Sequence, residues 1–130
     1  MSSRNVFTVG RVLMALIFLV AGVRKWINYA ATTGYLGSMG VPLPEIALPL
    51  IILLEVGGGI ALAIGWRTSW VAAILGLFCI GSGLLGHQFW AVDPAQFANQ
   101  LNHFLKNMAM AGGFLVVLAM SLELRGKDRG

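Results

Sequence analysis

A carboxylate stands in the middle of an apolar run: Glu55 interrupts "LPLIILLEVGGGIALAIGW" (Leu48–Trp66). A side chain of this kind can take up or release a proton, accept hydrogen bonds from a polar headgroup, or tie helices together through a partner. Its candidate partners lie in three other runs. Lys106 and Asn107 sit near the start of "LNHFLKNMAMAGGFLVVLAMSL" (Leu101–Leu122), His87 lies in "GHQFW", and Lys25 follows the first run. Lys106 is the expected partner, because its long stem can point down toward mid-membrane or snorkel to the interface. Arg11 is isolated near the opposite end and is expected to snorkel or to meet a lipid phosphate. His87, His103 and a carboxylate could in principle ligate a transition metal. The two histidines lack an i, i+4 spacing, however, and no H-E-x-x-H pattern exists. Haem or metal ligation is therefore not expected, and interfacial hydrogen bonding or a pH-sensitive contact is the default for both. The single cysteine, Cys79, reads as a buried inert thiol that can form no intrachain disulfide.

These side chains must be positioned by four apolar segments, at about 7–25, 46–66, 69–90 and 101–122. Each approaches the roughly 20 residues a helix needs to cross a bilayer. The runs are continuous rather than alternating, which excludes a β-barrel. Glu55 lies about ten residues into the second segment. At ~1.5 Å per residue it sits ~15 Å deep, near mid-membrane. Trp66-Arg67-Thr68 forms a tight turn between the second and third segments. The link "AVDPAQFANQ" carries a turn or helix-start signal at Asp93-Pro94. The long link "RKWINYAATTGYLGSMGVPLPE" is too broken to span, and its aromatic residues suit a membrane–water interface. A short interfacial or re-entrant helix is expected near 26–33. Small-xxx-small pairs such as Gly57–Ala61, Gly59–Ala63 and Ala72–Gly76 permit close packing within the molecule or between copies.

Composition agrees with this picture. The 130-residue chain is 58% hydrophobic and 11% charged, far below the roughly 25% charged residues of soluble domains. Its mean hydropathy is +0.81. The expected architecture is all-α: one integral-membrane domain over 1–130, a four-helix bundle with a short interfacial helix or loop between the first two spans. The net charge of +4 is dispersed, so a nucleic-acid partner is not expected; the partner is the lipid bilayer. Arg4 and Arg11 ahead of an apolar run resemble a signal peptide loosely, but no A-x-A-like cleavage site follows, and the segment is read as a mature helix. Arg4, Arg11, Arg67, Arg125, Lys127 and Arg129 fall on one side; Arg24, Lys25 and Lys106 fall on the other. This bias predicts both termini in the cytoplasm.

The segments also resemble a family. "RVLMALIFLVAGVRKW" (Arg11–Trp26) is similar to the opening of DoxX-family membrane proteins. "MGVPLPEIALPLIILLEVGGGIALAIGWRT" (Met39–Thr68) resembles their second span, with Gly-x-Pro at its start, a central Glu and a Gly-aromatic-Arg end. "GHQFW" followed by "FLKNMAMAGGFL" resembles the end of the third span and the fourth. The resemblance covers about 11–120. It implies a small four-helix bacterial inner-membrane protein linked to quinol oxidase, thiosulfate–quinone oxidoreduction or related complexes. The corresponding polar positions here are Arg11, Lys25, Glu55, His87, Lys106 and Asn107, to which the family assigns no settled roles. Three readings stay open. The chain is a redox-associated subunit that binds a quinone, a non-catalytic structural or assembly subunit beside other oxidoreductase subunits or in a homo-oligomer, or a carrier of a small lipophile. The chain itself holds no redox-active group, so electron transfer would need a bound cofactor or a neighbouring subunit.

Overall fold

The computed structural model describes residues 1–128; Arg129, counted above with the basic residues of the terminal side, lies outside the described residues. The described chain is helical, without strands, in the order α1 (Ser3–Ile27), α2 (Tyr29–Ser38), α3 (Pro44–Ile64), α4 (Thr68–Gly86), a 3-10 turn (Phe89–Ala91) and α5 (Pro94–Lys127). Four stretches, those of α1, α3, α4 with the 3-10 turn, and α5, are long and apolar enough to cross a membrane. Only 22–39% of each span's most apolar window is buried within the protein. In water such outward apolar surface would be an aggregation hazard; in a bilayer it is the solvated face.

The helix ends follow local chemistry. Ser2 caps α1, its side chain accepting from the Asn5 amide. Asn28 breaks the chain between α1 and α2 with φ −105° and ψ 43°. The expected short helix is thus present, but shifted to 29–38, because α1 continues to Ile27 before that break. Pro44 opens α3 at a position where its missing N–H has no intrahelical partner to lose. Leu43 ahead of it is held in the left-handed region at φ 48°. The fourth span begins earlier than expected. Pro94 starts α5 directly, and residues 95–100 (AQFANQ) continue the helix, since nothing after Pro94 breaks it. At ~1.5 Å per residue this 34-residue helix is ~51 Å long, well beyond a ~30 Å hydrocarbon core.

Contacts group the chain into two compact units, Met1–Val71 and Ala72–Gly130. In the first, α1 and α3 run antiparallel, with Ala15, Phe18 and Gly22 of α1 buried together with Gly59 and Leu62 of α3. Gly22 permits the close approach: a Cβ there would lie 2.6 Å from Val56 Cγ2 and 3.2 Å from Glu55 Cβ. Leu36 of α2 packs with Leu48 and Ile52 of α3, flanked by Met39, Val41, Ile51 and Val56. In the second unit, α4 and α5 are also antiparallel. Gly76 faces Phe114, and Gly83 faces Phe104, Asn107 and Met108. Cys79 is buried in this unit and forms no disulfide.

Candidate functional site

Glu55 finds its partner on α1. The Lys25 ammonium donates to both carboxylate oxygens, each at 2.9 Å. The Glu55 side chain is 5% exposed and that of Lys25 28%. Gly22 sets the level of this pair, because it packs directly on the Glu55 turn. Lys25 lies one turn further along α1, and its Cβ tilts back toward the helix N-terminus and hence toward Glu55. The expected partner, Lys106, is replaced by Lys25; the Lys106 side chain is exposed on α5.

Arg11 sits at the other end of the α1–α3 pair and is buried. Its Nη1 donates to the Leu62 carbonyl at 2.6 Å and to the Ala63 carbonyl at 3.3 Å. These are among the last carbonyls of α3, where the helical ladder runs out and the negative end of the helix dipole lies; the Leu62 carbonyl also accepts from the Gly65 amide at 3.3 Å. Arg11 thus serves as a C-terminal cap delivered from a neighbouring helix, where the sequence suggested a lipid phosphate. Phe7 lies under its guanidinium, 5.3 Å away, and Thr8 Oγ1 accepts from Nη2 at 3.4 Å. Gly65 makes room: it has φ +80°, and a Cβ on it would fall 2.7 Å from Arg11 Nη1. The chain then leaves α3 through Trp66 N–H to the Ala61 carbonyl at 2.9 Å, as in a left-handed helix stop.

Beside Lys25, an open cleft of about 380 Å³ is lined by Ala21, Arg24, Lys25, Asn28 and Thr32. All five lie on one face of α1 as it passes into α2. The break is held by Asn28 Nδ2 on the Arg24 carbonyl at 3.0 Å and by Thr32 Oγ1 on the Asn28 carbonyl at 2.8 Å.

In the second unit, His87 and His103 stack, ring centroids 4.9 Å apart and planes 20° from parallel. His87 Nδ1 is 3.0 Å from Gln100 Oε1. Next to them Phe89 meets Trp90, Phe97 and Phe104 edge to face at 5.0, 5.9 and 5.2 Å. Asn107 Nδ2 donates to the His103 carbonyl at 3.1 Å. The structure therefore brings Lys25 together with Glu55 in one unit, and His87 near Asn107 through His103 in the other. Gln100 is not marked by the sequence, since its contact joins α5 to the residue just past α4 and leaves no local pattern. No group of three or more metal-type ligands occurs among the described residues.

Comparison with known proteins gives two kinds of match. The DoxX family profile matches residues 6–88. The chain is 28% identical over 122 residues to the inner membrane protein YphA of Escherichia coli, covering 90% of this chain and 87% of that protein. It is 41% identical over 109 residues to the inner membrane protein YqjF of the same organism, covering 84% and 78%. No solved structure matches the chain.

Proposed function

The chain belongs to the DoxX family, and from that premise we propose that it is a redox-associated subunit of the bacterial inner membrane that holds a quinone headgroup at one end of the α4–α5 pair. The observation that carries this reading is the stacked His87–His103 pair beside the Phe89, Trp90, Phe97 and Phe104 rings. A quinone is a flat ring with two carbonyl acceptors. The site offers aromatic edges and faces for the ring. It offers imidazole N–H groups, the second N–H of Asn107 and the exposed Lys106 ammonium for the oxygens. A bound quinone would supply the electron chemistry that the chain lacks; these residues would orient it and hold protons near its oxygens. Both termini face the cytoplasm in this reading, following the distribution of basic residues. In this assignment Glu55 belongs to the scaffold, because both of its oxygens are engaged by Lys25.

Quinone analysis of lipid extracts from the purified protein tests the proposal, together with melting temperature in the presence of a short-chain quinone. Wild type should carry quinone and melt higher when it is added, and His103→Ala should lose that increment. No co-purified quinone and no shift in wild type would overturn it. A second reading, a structural or assembly subunit of a larger membrane complex, is supported by the internal engagement of Arg11 and Glu55. Sizing after gentle solubilisation separates the two, since a clean monomer or homodimer counts against an assembly role. A small-lipophile carrier ranks behind both, because four spans are few for alternating access.

A further inference from the structure

We propose that the cleft at the α1–α2 break is a binding site for the phosphodiester headgroup of an anionic membrane lipid. The charges at the cleft favour an anion. Arg24 and Lys25 place two cations at the cleft, and Glu55 supplies one carboxylate, which Lys25 already holds. One positive charge is left over, and it resides on Arg24, whose guanidinium has no protein partner among the described residues. A planar guanidinium matches a phosphate bidentately. The neighbouring donors add to it. Lys25 uses two N–H groups on Glu55 and keeps a third. Asn28 uses one side-chain N–H on the Arg24 carbonyl and keeps the other. A single negative charge on a phosphodiester balances the cleft, whereas a neutral headgroup leaves Arg24 uncompensated.

Position points to a lipid rather than a soluble anion. Trp26 and Tyr35 stand 69% and 53% exposed around the break, as aromatic residues do at the level of lipid headgroups. On the face of α1 that carries Arg24, the residues toward mid-span at helical spacing are Leu13, Ile17 and Val20, all exposed. They form an apolar lane along which an acyl chain can lie while its phosphate meets Arg24. The cleft volume of about 380 Å³ falls at the small end of the roughly 300–1,000 Å³ range of ligand pockets, as suits a headgroup whose tails remain in the bilayer.

Native mass spectrometry of the full chain in mild detergent tests this. The probes are phosphatidylglycerol, phosphatidylcholine with the same acyl chains, and inorganic phosphate. Wild type should retain one phosphatidylglycerol with about tenfold or greater preference over phosphatidylcholine, as one charge-assisted contact provides. Arg24→Gln should lose that preference, Arg24→Lys should keep part of it, and Arg67→Gln should leave it unchanged. Because Arg24 is exposed, its replacement leaves the Lys25–Glu55 pair in place. Absence of the preference in wild type, or its persistence in Arg24→Gln, would overturn the proposal. Displacement of the lipid by millimolar inorganic phosphate would also overturn it, in favour of a free-anion site.

Discussion

The α1–α3 pair and the α4–α5 pair treat their polar side chains in opposite ways. In the first, Arg11 and Glu55 are buried, and each meets a partner on the facing helix. In the second, His103 and Lys106 stand exposed on α5, and His87 is only half-buried. A charge inside a span is tolerated when its hydrogen-bonding capacity is met by protein. The α1–α3 pair meets most of that condition internally, with only Arg11 Nε left unpartnered among the described buried side-chain atoms, so its two buried charges act as clamps. The α4–α5 pair keeps its polar groups level with the end of α4, on exposed or half-buried positions that a ligand or water can still reach. The difference separates side chains that hold the fold from side chains that are available for binding.

Substitutions put that contrast to the test. Glu55→Leu should have the largest effect, because it strands Lys25 inside the helix pair. Loss of one partner from a fully buried ion pair costs about 3–5 kcal/mol; the partial exposure of Lys25 lets it snorkel, which reduces the expected loss to about 2–3 kcal/mol. Unfolding by SDS in mixed micelles reads this directly. Arg11→Leu comes next. It deprives the Leu62 and Ala63 carbonyls of a charged donor, for an expected loss of about 1.5–3 kcal/mol in the same assay. Gly65→Ala should cost about 1–2 kcal/mol, since it forces an L side chain into the left-handed region and crowds Arg11. In an Arg11→Leu background the crowding component should shrink, and an unchanged penalty would separate the two effects. Lys106→Leu should be the smallest, within about 0.5 kcal/mol, as for most exposed positions. A loss comparable to that of Glu55→Leu would erase the contrast between the two pairs.

Much of the architecture was legible from residue order. Four long apolar runs, continuous rather than alternating, allow little besides spanning helices, and the Pro44 and Pro94 start signals fall where α3 and α5 begin. The ends were less legible. Residues 95–100 lie in the link ahead of the fourth apolar segment, yet they extend α5, because the half-polar stretch AQFANQ does not stop a helix once Pro94 has started it. The partner of Glu55, Lys25 rather than Lys106, is not legible in the sequence either. Depth along each helix can be counted from sequence, but the rotation of each helix and the offset between neighbours cannot. α3 extends eleven residues from Pro44 to Glu55, whereas α1 ends two residues after Lys25; that offset puts the end of α1 level with the middle of α3. Gly22 carried a signal for it, as a small residue one turn before Lys25 that admits the Glu55 turn. The role of Arg11 was hidden for another reason. Its partners are backbone carbonyls, which no pattern of side chains reveals, although the Gly65-Trp66 stop marked the helix end that presents them.

A double-mutant cycle measures whether Lys25 and Glu55 clamp α1 to α3. Unfolding free energies would be compared for wild type, Glu55→Leu, Lys25→Leu and the double replacement, with a parallel cycle pairing Glu55→Leu with Lys106→Leu. A clamp requires a coupling of at least about 1 kcal/mol for Lys25 with Glu55, with the double variant recovering much of the loss, and additivity within about 0.5 kcal/mol for Lys106 with Glu55. Additive losses in the first cycle, or strong coupling in the second, would contradict it.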